Sequence, residues 1–322
     1  MSELLKMSWH GFRALGLESE SIRLVIVPDL GAKIVSLYDK LHGREWLVPP
    51  MQPVKRTVYG ADFVSQDMSG WDEMLPTVIA CDWEGAHLPD HGEVWSIPWQ
   101  LESARDAVVL SVKSIAMSYQ LTRRAALSAP NCLELQYTLT NSGKTAFPYL
   151  WAAHPQFAVD SNTRIVLPPE VTQVVNVINL DPIWGKAGEL YDWPKATSTD
   201  GQTWCLDRVG PPENHTCRKF YVPPEQSVAW AALVDESRGC GLGLEWISSA
   251  VPYLGLWIDE GMYNSASVAA LEPSNGYYDS LENAIQHKRV TVLELEKGQS
   301  WAMRIKIGDL NDFQEDYGKD LG

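Results

Sequence analysis

Apolar and polar residues alternate over short stretches along most of the chain, and Gly, Pro, Asn and Asp separate these stretches. A period of two places successive side chains on opposite faces of a β-strand. Residues 133–140 show the pattern clearly, and the turn residues at 141–144 end it. Similar runs predict strands at 22–27, 33–38, 108–113 and 242–247.

Two further elements are predicted near the end of the chain. Residues 290–296 and 301–307 resemble the arms of a β-hairpin, with the turn at 297–300, and the second arm faces inward through Trp301, Met303, Ile305 and Ile307. Helical spacing occurs only at 280–287, which predicts one short helix.

Many short strands without long helices between them predict an all-β fold, either a sandwich or a barrel. All-β proteins of 322 residues often form one unit, so we expect a single domain over residues 1–322. The proline-rich stretch 168–224 is irregular, but its aromatic residues predict packed loops and not a flexible linker.

Composition narrows the classes of partner. The formal charge of −15 and the pI near 4.9 argue against nucleic acid and against an anionic membrane surface, because both need clustered cations. Five cysteines without a C-x-x-C pair predict free thiols. Residues 1–20 lack the apolar stretch of a signal peptide, so we expect a cytoplasmic protein. Of the remaining classes of partner, we expect a neutral small molecule.

Three segments place titratable side chains among residues that restrict the backbone: 89–93, 153–157 and 271–276. His154 and Glu272 each precede a proline, which favours an extended conformation and disfavours a helix. An acid, a base and an assisting imidazole are what proton transfer at a hemiacetal requires. Trp257 lies on a predicted strand next to a glycine, where an aromatic face could contact a sugar ring.

Several motifs together resemble the galactose mutarotase-like family, also called the aldose 1-epimerases. They occur in the family's order and span about residues 22–308: residues 28–34 with 43–47, 70–76, His91-Gly92, His154-Pro155 and 271–276. The resemblance implies a large twisted antiparallel β-sandwich with few short helices, an open sugar cleft, and no metal or organic cofactor. It also implies a small-molecule sugar as the partner.

The resemblance further implies a catalytic group of three residues. Glu272 would be the general base that removes the proton of the anomeric hydroxyl, and His154 the general acid that protonates the ring oxygen. His91 would hydrogen-bond the ring oxygen or a neighbouring hydroxyl and stabilise the developing charge. Ring opening, rotation about C1–C2 and reclosure would then interconvert the α and β anomers.

One motif departs from the family, whose enzymes usually carry a Gly-Arg element before the first site histidine. This chain has Gly70-Trp71-Asp72-Glu73 there. We expect Asp72, Glu73 and Glu93 to bind sugar hydroxyls, which would disfavour an anionic sugar such as a hexose phosphate. The family has a second acidic residue that binds the sugar. Asp259 is a candidate for it, and the alternative is that Asp259 has a structural role.

Three other interpretations remain open. His87 and His91 have the spacing of a metal pair on a helix, although Pro89 argues against that helix. Glu272 with Asp72 or Glu73 could form the carboxylate pair of a glycoside hydrolase. A sugar-binding protein without turnover could also use this fold, because a fold does not determine a function.

Overall fold

The computed structural model describes residues 3–180, 182–226, 228–295 and 297–317, and within them most of the regular structure is antiparallel β. In chain order the strands are β1 (Glu3–Trp9), β2 (Phe12–Glu18), β3 (Ile22–Val27), β4 (Lys33–Asp39), β5 (Arg44–Glu45), β6 (Trp71–Met74), β7 (Cys81–Trp83), β8 (Ala86–Leu88), β9 (Gln100–Ala104), β10 (Val108–Lys113), β11 (Tyr119–Ala129), β12 (Cys132–Asn141), β13 (Phe147–Tyr149), β14 (Ala152–Pro155), β15 (Phe157–Ala158), β16 (Thr163–Val166), β17 (Gln173–Asn176), β18 (Leu190–Asp192), β19 (Lys195–Thr197), β20 (Thr203–Cys205), β21 (Thr216–Tyr221), β22 (Trp230–Asp235), β23 (Cys240–Trp246), β24 (Tyr253–Glu260), β25 (Ser267–Ser274), β26 (Thr291–Leu293) and β27 (Gly298–Asp309). The helices are α1 (Leu281–Gln286) and α2 (Leu310–Tyr317), and 3₁₀ turns occur at Phe63–Ser65, Pro182–Trp184 and Pro212–Asn214.

Two large sheets contain most of these strands. The first, here called the large sheet, follows the order β1-β2-β3-β4-β6-β14-β25-β24-β21-β17-β18, with β5 and β15 paired at its side. The second sheet follows the order β16-β22-β23-β27-β12-β11-β10-β9. One apolar cluster contains residues from both sheets, among them Leu24, Leu121, Leu244 and Leu271. The fold is therefore a sandwich, in which the apolar faces of both sheets are buried against each other.

The predicted all-β sandwich is confirmed, and so is the strand periodicity. The strands predicted at 22–27 and 108–113 match β3 and β10 in both bounds. In β12 the burial alternates along the strand, and the strand ends at Asn141, the first residue of the predicted turn. The predicted short helix corresponds to α1, which Ser280 caps by accepting a hydrogen bond from the backbone N–H of Asn283 at 3.1 Å.

The predicted C-terminal hairpin is wrong in its pairing. β26 pairs with β13, whereas β27 pairs with β12 on one side and β23 on the other. Because β27 is a central strand with both edges occupied, it has no free edge for β26. Its inward face was predicted correctly, since Trp301, Met303, Ile305 and Ile307 are all buried.

The C-terminal helix α2 was not predicted from the sequence. It buries Phe313 and Tyr317 against Ala232 and Val234 of the second sheet. All five cysteines are free thiols. Of the helices in the described residues, none has the length and apolar character needed to cross a bilayer.

Candidate functional site

A cleft of about 770 Å³ opens on the large sheet where β14, β25, β24 and β21 lie side by side. Each of these strands contributes one side chain to it: His154, Glu272, Trp257 and Lys219. The other lining residues come mainly from loops: Phe63, Val64, Met68, Val78, Ile79, Asp90, His91, Gln156, Ile178, Leu180, Tyr263, Asn264 and Asp279. Charged groups at the sheet thus face a largely apolar wall.

The antiparallel register explains why these side chains meet. Glu272 is paired with Gly255, and Gly255 with Tyr221, so these three residues form one row across three strands. Lys219 is paired with Trp257 in the next row on the same face. A Cβ at Gly255 would lie 3.1 Å from Oε2 of Glu272. The glycine therefore leaves space for the Glu272 carboxylate.

Glu272 is fully buried, and its charge is balanced by a lysine. The Nζ atom of Lys219 lies 2.8 Å from Oε2 of Glu272 and 3.2 Å from Oδ2 of Asp279. Tyr221 donates a hydrogen bond to Oδ1 of Asp279 at 2.7 Å, which holds that carboxylate in place. Burial raises the pKa of Glu272 above its usual value, while the nearby Lys219 opposes the rise. Burial would lower the pKa of Lys219, but Asp279 and Glu272 outweigh it and raise that pKa.

His154 lies beside Glu272 with its ring almost completely buried. Its Nε2 atom is 3.8 Å from Oε1 of Glu272 and 2.8 Å from the Nε2 amide of Gln156. The amide donates to the ring nitrogen in this arrangement, so the neutral imidazole carries its proton on Nδ1. Burial places the pKa of His154 well below its usual value, and the nearby His91, Lys219 and Lys33 act in the same direction.

His91 approaches the same point from a tight turn. It has a positive φ of 58°, and Gly92 follows with φ 69°, where an added Cβ would collide with the backbone of Leu75. Nδ1 of His91 lies 2.9 Å from Oδ2 of Asp90, which orients the ring. The ring stacks on Phe63 at 3.9 Å and lies 5.0 Å from the His154 ring. The two imidazoles and Glu272 thus lie close together in the cleft.

The three other carboxylates predicted to bind sugar do not line the cleft. Asp72 is buried and pairs with Lys33 at 2.9 Å. Glu73 is buried with Arg123 at 2.9 Å and also accepts hydrogen bonds from Tyr137 and Trp151.

Glu93 has a similar structural role. Its carboxylate accepts hydrogen bonds from the hydroxyl of Tyr119 at 2.6 Å and from the backbone N–H groups of Ile115 and Ala116 at 2.9 and 3.0 Å. These protein donors occupy its oxygens and secure a turn. We therefore do not include Asp72, Glu73 or Glu93 in the candidate site.

Two other predicted residues lie at or near the cleft. Trp257 lines it, and its ring centroid is 5.6 Å from that of Tyr263. Asp259 points into the turn after β24, where it accepts hydrogen bonds from the backbone N–H groups of Met262, Tyr263 and Asn264. Its role is structural: it fixes the positions of Tyr263 and Asn264.

Sequence reasoning missed Lys219 and Asp279, which line the cleft next to Glu272. Lys219 follows Arg218 inside a strand whose other residues are mostly buried, and two cations at such positions are an unusual signal. Asp90 and Gln156 were also missed. Asp90 directly precedes His91, and Gln156 lies two residues after His154.

For two of the alternative interpretations, the structure does not bring the named residues together in the cleft. His87 lies on β8, is mostly exposed and bonds Asp82 at 2.9 Å, so it does not join His91 in a metal pair. A different group, Asp39, His42 and Cys240, holds potential ligand atoms within 4.8 Å of one another but shares no residue with the cleft. The proposed hydrolase pair fails too, because neither Asp72 nor Glu73 faces the cleft beside Glu272.

Comparisons with known proteins agree with this fold. The family model for aldose 1-epimerase matches residues 13–307. The chain therefore belongs to the aldose 1-epimerase family. A search of curated protein sequences gave no significant match.

Solved structures with the same fold are distant in sequence. The Slr1438 protein of Synechocystis sp. PCC 6803 is 16% identical with a TM-score of 0.70, covering 94% of this chain and 99% of its own. A galactose mutarotase-like protein of Lactobacillus casei is 17% identical with a TM-score of 0.67, covering 95% and 100%. A galactose mutarotase-like protein of Clostridium acetobutylicum is 14% identical with a TM-score of 0.64, covering 96% and 99%.

Proposed function

We propose that this protein is a cofactor-independent aldose 1-epimerase, or mutarotase, that interconverts the α and β anomers of a neutral aldose. The observation that carries the proposal is that Glu272, His154 and His91 lie close together in a cleft that could hold a sugar. Membership in the aldose 1-epimerase family supports the same reaction class.

The reaction needs only proton transfer. Glu272 would take the proton of the anomeric hydroxyl as the bond between C1 and the ring oxygen breaks, and a protonated His154 would give its proton to the ring oxygen. The aldehyde then rotates about C1–C2, and the reverse transfers close the ring as the other anomer. The raised pKa of Glu272 makes it a stronger base, and the lowered pKa of His154 makes its imidazolium a stronger acid. His91, oriented by Asp90, would stabilise charge at the ring oxygen.

The charges in the cleft favour a neutral substrate. Asp90, Glu272 and Asp279 line it with Lys219, whose ammonium group is already shared between two carboxylates. An anionic sugar would therefore meet uncompensated negative charge. The sequence also predicted that carboxylates would disfavour an anionic sugar, but it assigned this role to Asp72, Glu73 and Glu93.

We include a cytoplasmic location in the proposal. All five cysteines are free thiols, and free thiols are typical of a reducing compartment. Fractionation of cells that express the tagged protein tests this, and recovery from an oxidising compartment would contradict it.

The direct test is the rate of anomer interconversion for a panel of neutral aldoses, measured by NMR magnetisation exchange. We expect acceleration that saturates with sugar concentration. The Glu272→Gln variant keeps the shape of the side chain and removes the base, so kcat should fall by a factor on the order of 10²–10⁴. Sugar binding should survive better, and a variant as fast as the wild type would remove Glu272 from the mechanism.

A second candidate is a sugar-binding protein without turnover. The observation in its favour is the 2.8 Å ion pair between Lys219 and Glu272, which stabilises the carboxylate and lowers its basicity. Titration of the same sugars by NMR distinguishes the two candidates. Saturable chemical shift changes without faster anomer exchange would support the binding protein.

A further inference from the structure

Three potential metal ligands from the two sheets meet outside the cleft. Asp39 ends β4 of the large sheet, Cys240 begins β23 of the second sheet, and His42 lies in the turn after β4. One ligand atom from each side chain lies within 4.8 Å of the other two. This Asp-His-Cys cluster shares no residue with the cleft, so it is a separate feature of the molecule.

The turn after β4 holds two of the three ligands in place. Oδ1 of Asp39 accepts hydrogen bonds from the backbone N–H groups of Leu41 and His42 at 3.0 and 3.1 Å. Oδ2 of Asp39 lies 2.7 Å from Nδ1 of His42. Asp39 is 1% exposed and Cys240 is fully buried, whereas the His42 side chain is 13% exposed. A cation would therefore meet ligands that are already positioned, and it could enter from solvent past the histidine.

A fourth residue supports the histidine from its other side. Nε2 of His42 lies 3.1 Å from Oδ1 of Asp309, the last residue of β27, which is paired with Cys240 in the second sheet. Histidines that bind a metal usually donate the second ring N–H to a carboxylate, which fixes the tautomer and the direction of the ring. Nδ1 is then the nitrogen available to a metal, beside Oδ2 of Asp39.

The charges around the cluster favour a cation. Arg44 and Arg238 share the carboxylate of Asp235 in ion pairs, and Arg238 also pairs with Asp160 at 3.7 Å. These two arginines and two carboxylates balance one another. The two carboxylates that contact His42 therefore remain in excess, and a thiolate would add a third negative charge. A divalent cation would neutralise this excess.

We infer that Asp39, His42 and Cys240 bind a zinc ion that links the two sheets. One oxygen, one nitrogen and one sulfur ligand suit Zn²⁺, whereas Mg²⁺ and Ca²⁺ prefer oxygen alone. The ion takes the place of the proton between Asp39 and His42, and the Cys240 thiol gives its proton to solvent as it binds. Water completes the tetrahedral coordination.

The test adds ZnCl₂ to the full-length protein after treatment with a chelator. Calorimetry should show saturation at one zinc ion per chain. The midpoint of thermal unfolding should rise by about 3–8 °C when free zinc exceeds Kd about a hundredfold. Co²⁺ is a second probe, because a cobalt–thiolate bond gives near-ultraviolet absorption that reports directly on a cysteine ligand. The absence of saturable zinc binding would overturn the inference.

Single substitutions assign the ligands. Cys240→Ala should abolish both the cobalt–thiolate absorption and the stoichiometric binding of zinc. Cys217→Ala is the matched control and should keep both, because Cys217 is also buried and lies outside the cluster. His42→Asn, at a partly exposed position, is the second variant in case the first fails to fold. Asp309→Asn should retain one ion per chain with a Kd about 10–100-fold higher.

Two further results would contradict the inference. An unchanged zinc affinity in a folded Cys240→Ala or His42→Asn variant would place the ion elsewhere in the chain. Thermal stabilisation by zinc that survives in these variants would likewise assign it to another site. Neither result tests the mutarotase proposal, because the cluster and the cleft share no residue.

Discussion

At the scale of single residues, the base candidate and a lysine form the central interaction of the cleft. Glu272 is fully buried, and burial raises the pKa of its carboxyl group because it penalises the charged form. Lys219 lies 2.8 Å away and favours the ionised form. The lysine is in turn held by Asp279, so the state of the base depends on two groups that do not themselves accept the substrate proton.

Replacing Lys219 by methionine should therefore shift the pH dependence of catalysis. The pKa of Glu272 is raised by burial and lowered by Lys219, so removing the lysine should raise it further. The acid limb of kcat/KM should move to higher pH by about 1–3 pH units, and activity should recover partly in alkaline buffer. Steady-state rates across the pH range measure this.

A matched control uses another buried lysine. Lys33 is paired with Asp72 at 2.9 Å and does not line the cleft, so Lys33→Met should leave the acid limb in place. If Lys219→Met loses activity equally at every pH, the lysine acts through local structure and not through the pKa of Glu272.

At the scale of strands, the pairing of β24 with β25 positions the base. Gly255 lies opposite Glu272, and no side chain other than hydrogen leaves the carboxylate its observed space. The local signals for this arrangement are present in the sequence, because a glycine within a strand often marks close approach of another group.

Gly255→Ala should impair catalysis more than stability. The added Cβ would lie 3.1 Å from Oε2 of Glu272 and 3.2 Å from the Tyr221 ring, so the carboxylate must shift. A displacement of this kind should lower kcat/KM by about tenfold to a hundredfold with little change in the midpoint of thermal unfolding. Anomer exchange and calorimetry of the same sample provide the measurement.

Gly16→Ala serves as the control for that experiment. Gly16 lies in β2, and its added Cβ would be 3.1 Å from the Cβ of Leu5, a similar crowding on a strand that does not border the cleft. Its activity should equal that of the wild type. Equal losses in both variants would mean that the effect comes from the strand and not from Glu272.

The strands also show which features of the fold can be predicted from the sequence. Alternation is a local property, so β3 and β10 could be predicted with their bounds. The partner of β27 is a long-range property: a turn at 297–300 suggested β26, whereas the buried faces of β12 and β23 determine the pairing. The family resemblance singled out His154 and Glu272, and the proline after each predicted extended backbone there. Lys219 could not be predicted, because only tertiary pairing brings it to Glu272.

At the scale of the whole molecule, an ion pair lies inside the sandwich. Arg123 of the second sheet and Glu73 of the large sheet are both almost fully buried and 2.9 Å apart. Tyr137 and Trp151 also donate to Glu73, at 2.8 and 3.0 Å. Buried charges of this kind are tolerated only when each has its partner.

Arg123→Met should destabilise the fold by about 3–5 kcal/mol, because it leaves Glu73 buried without a cation. Urea unfolding followed by tryptophan fluorescence measures this. The double variant Arg123→Met with Glu73→Leu removes both charges and should regain much of the loss. A single variant as stable as the wild type would show that the pair has no net effect on stability.

The central position of β27 also has a consequence for synthesis in the cell. β12 and β23 each pair with β27, so both keep an open edge until residue 309 has left the ribosome. Unpaired edges are templates for aggregation, and non-local pairing of this kind folds slowly. We therefore expect a chain that ends before β27 to expose the edges of β12 and β23 and to aggregate.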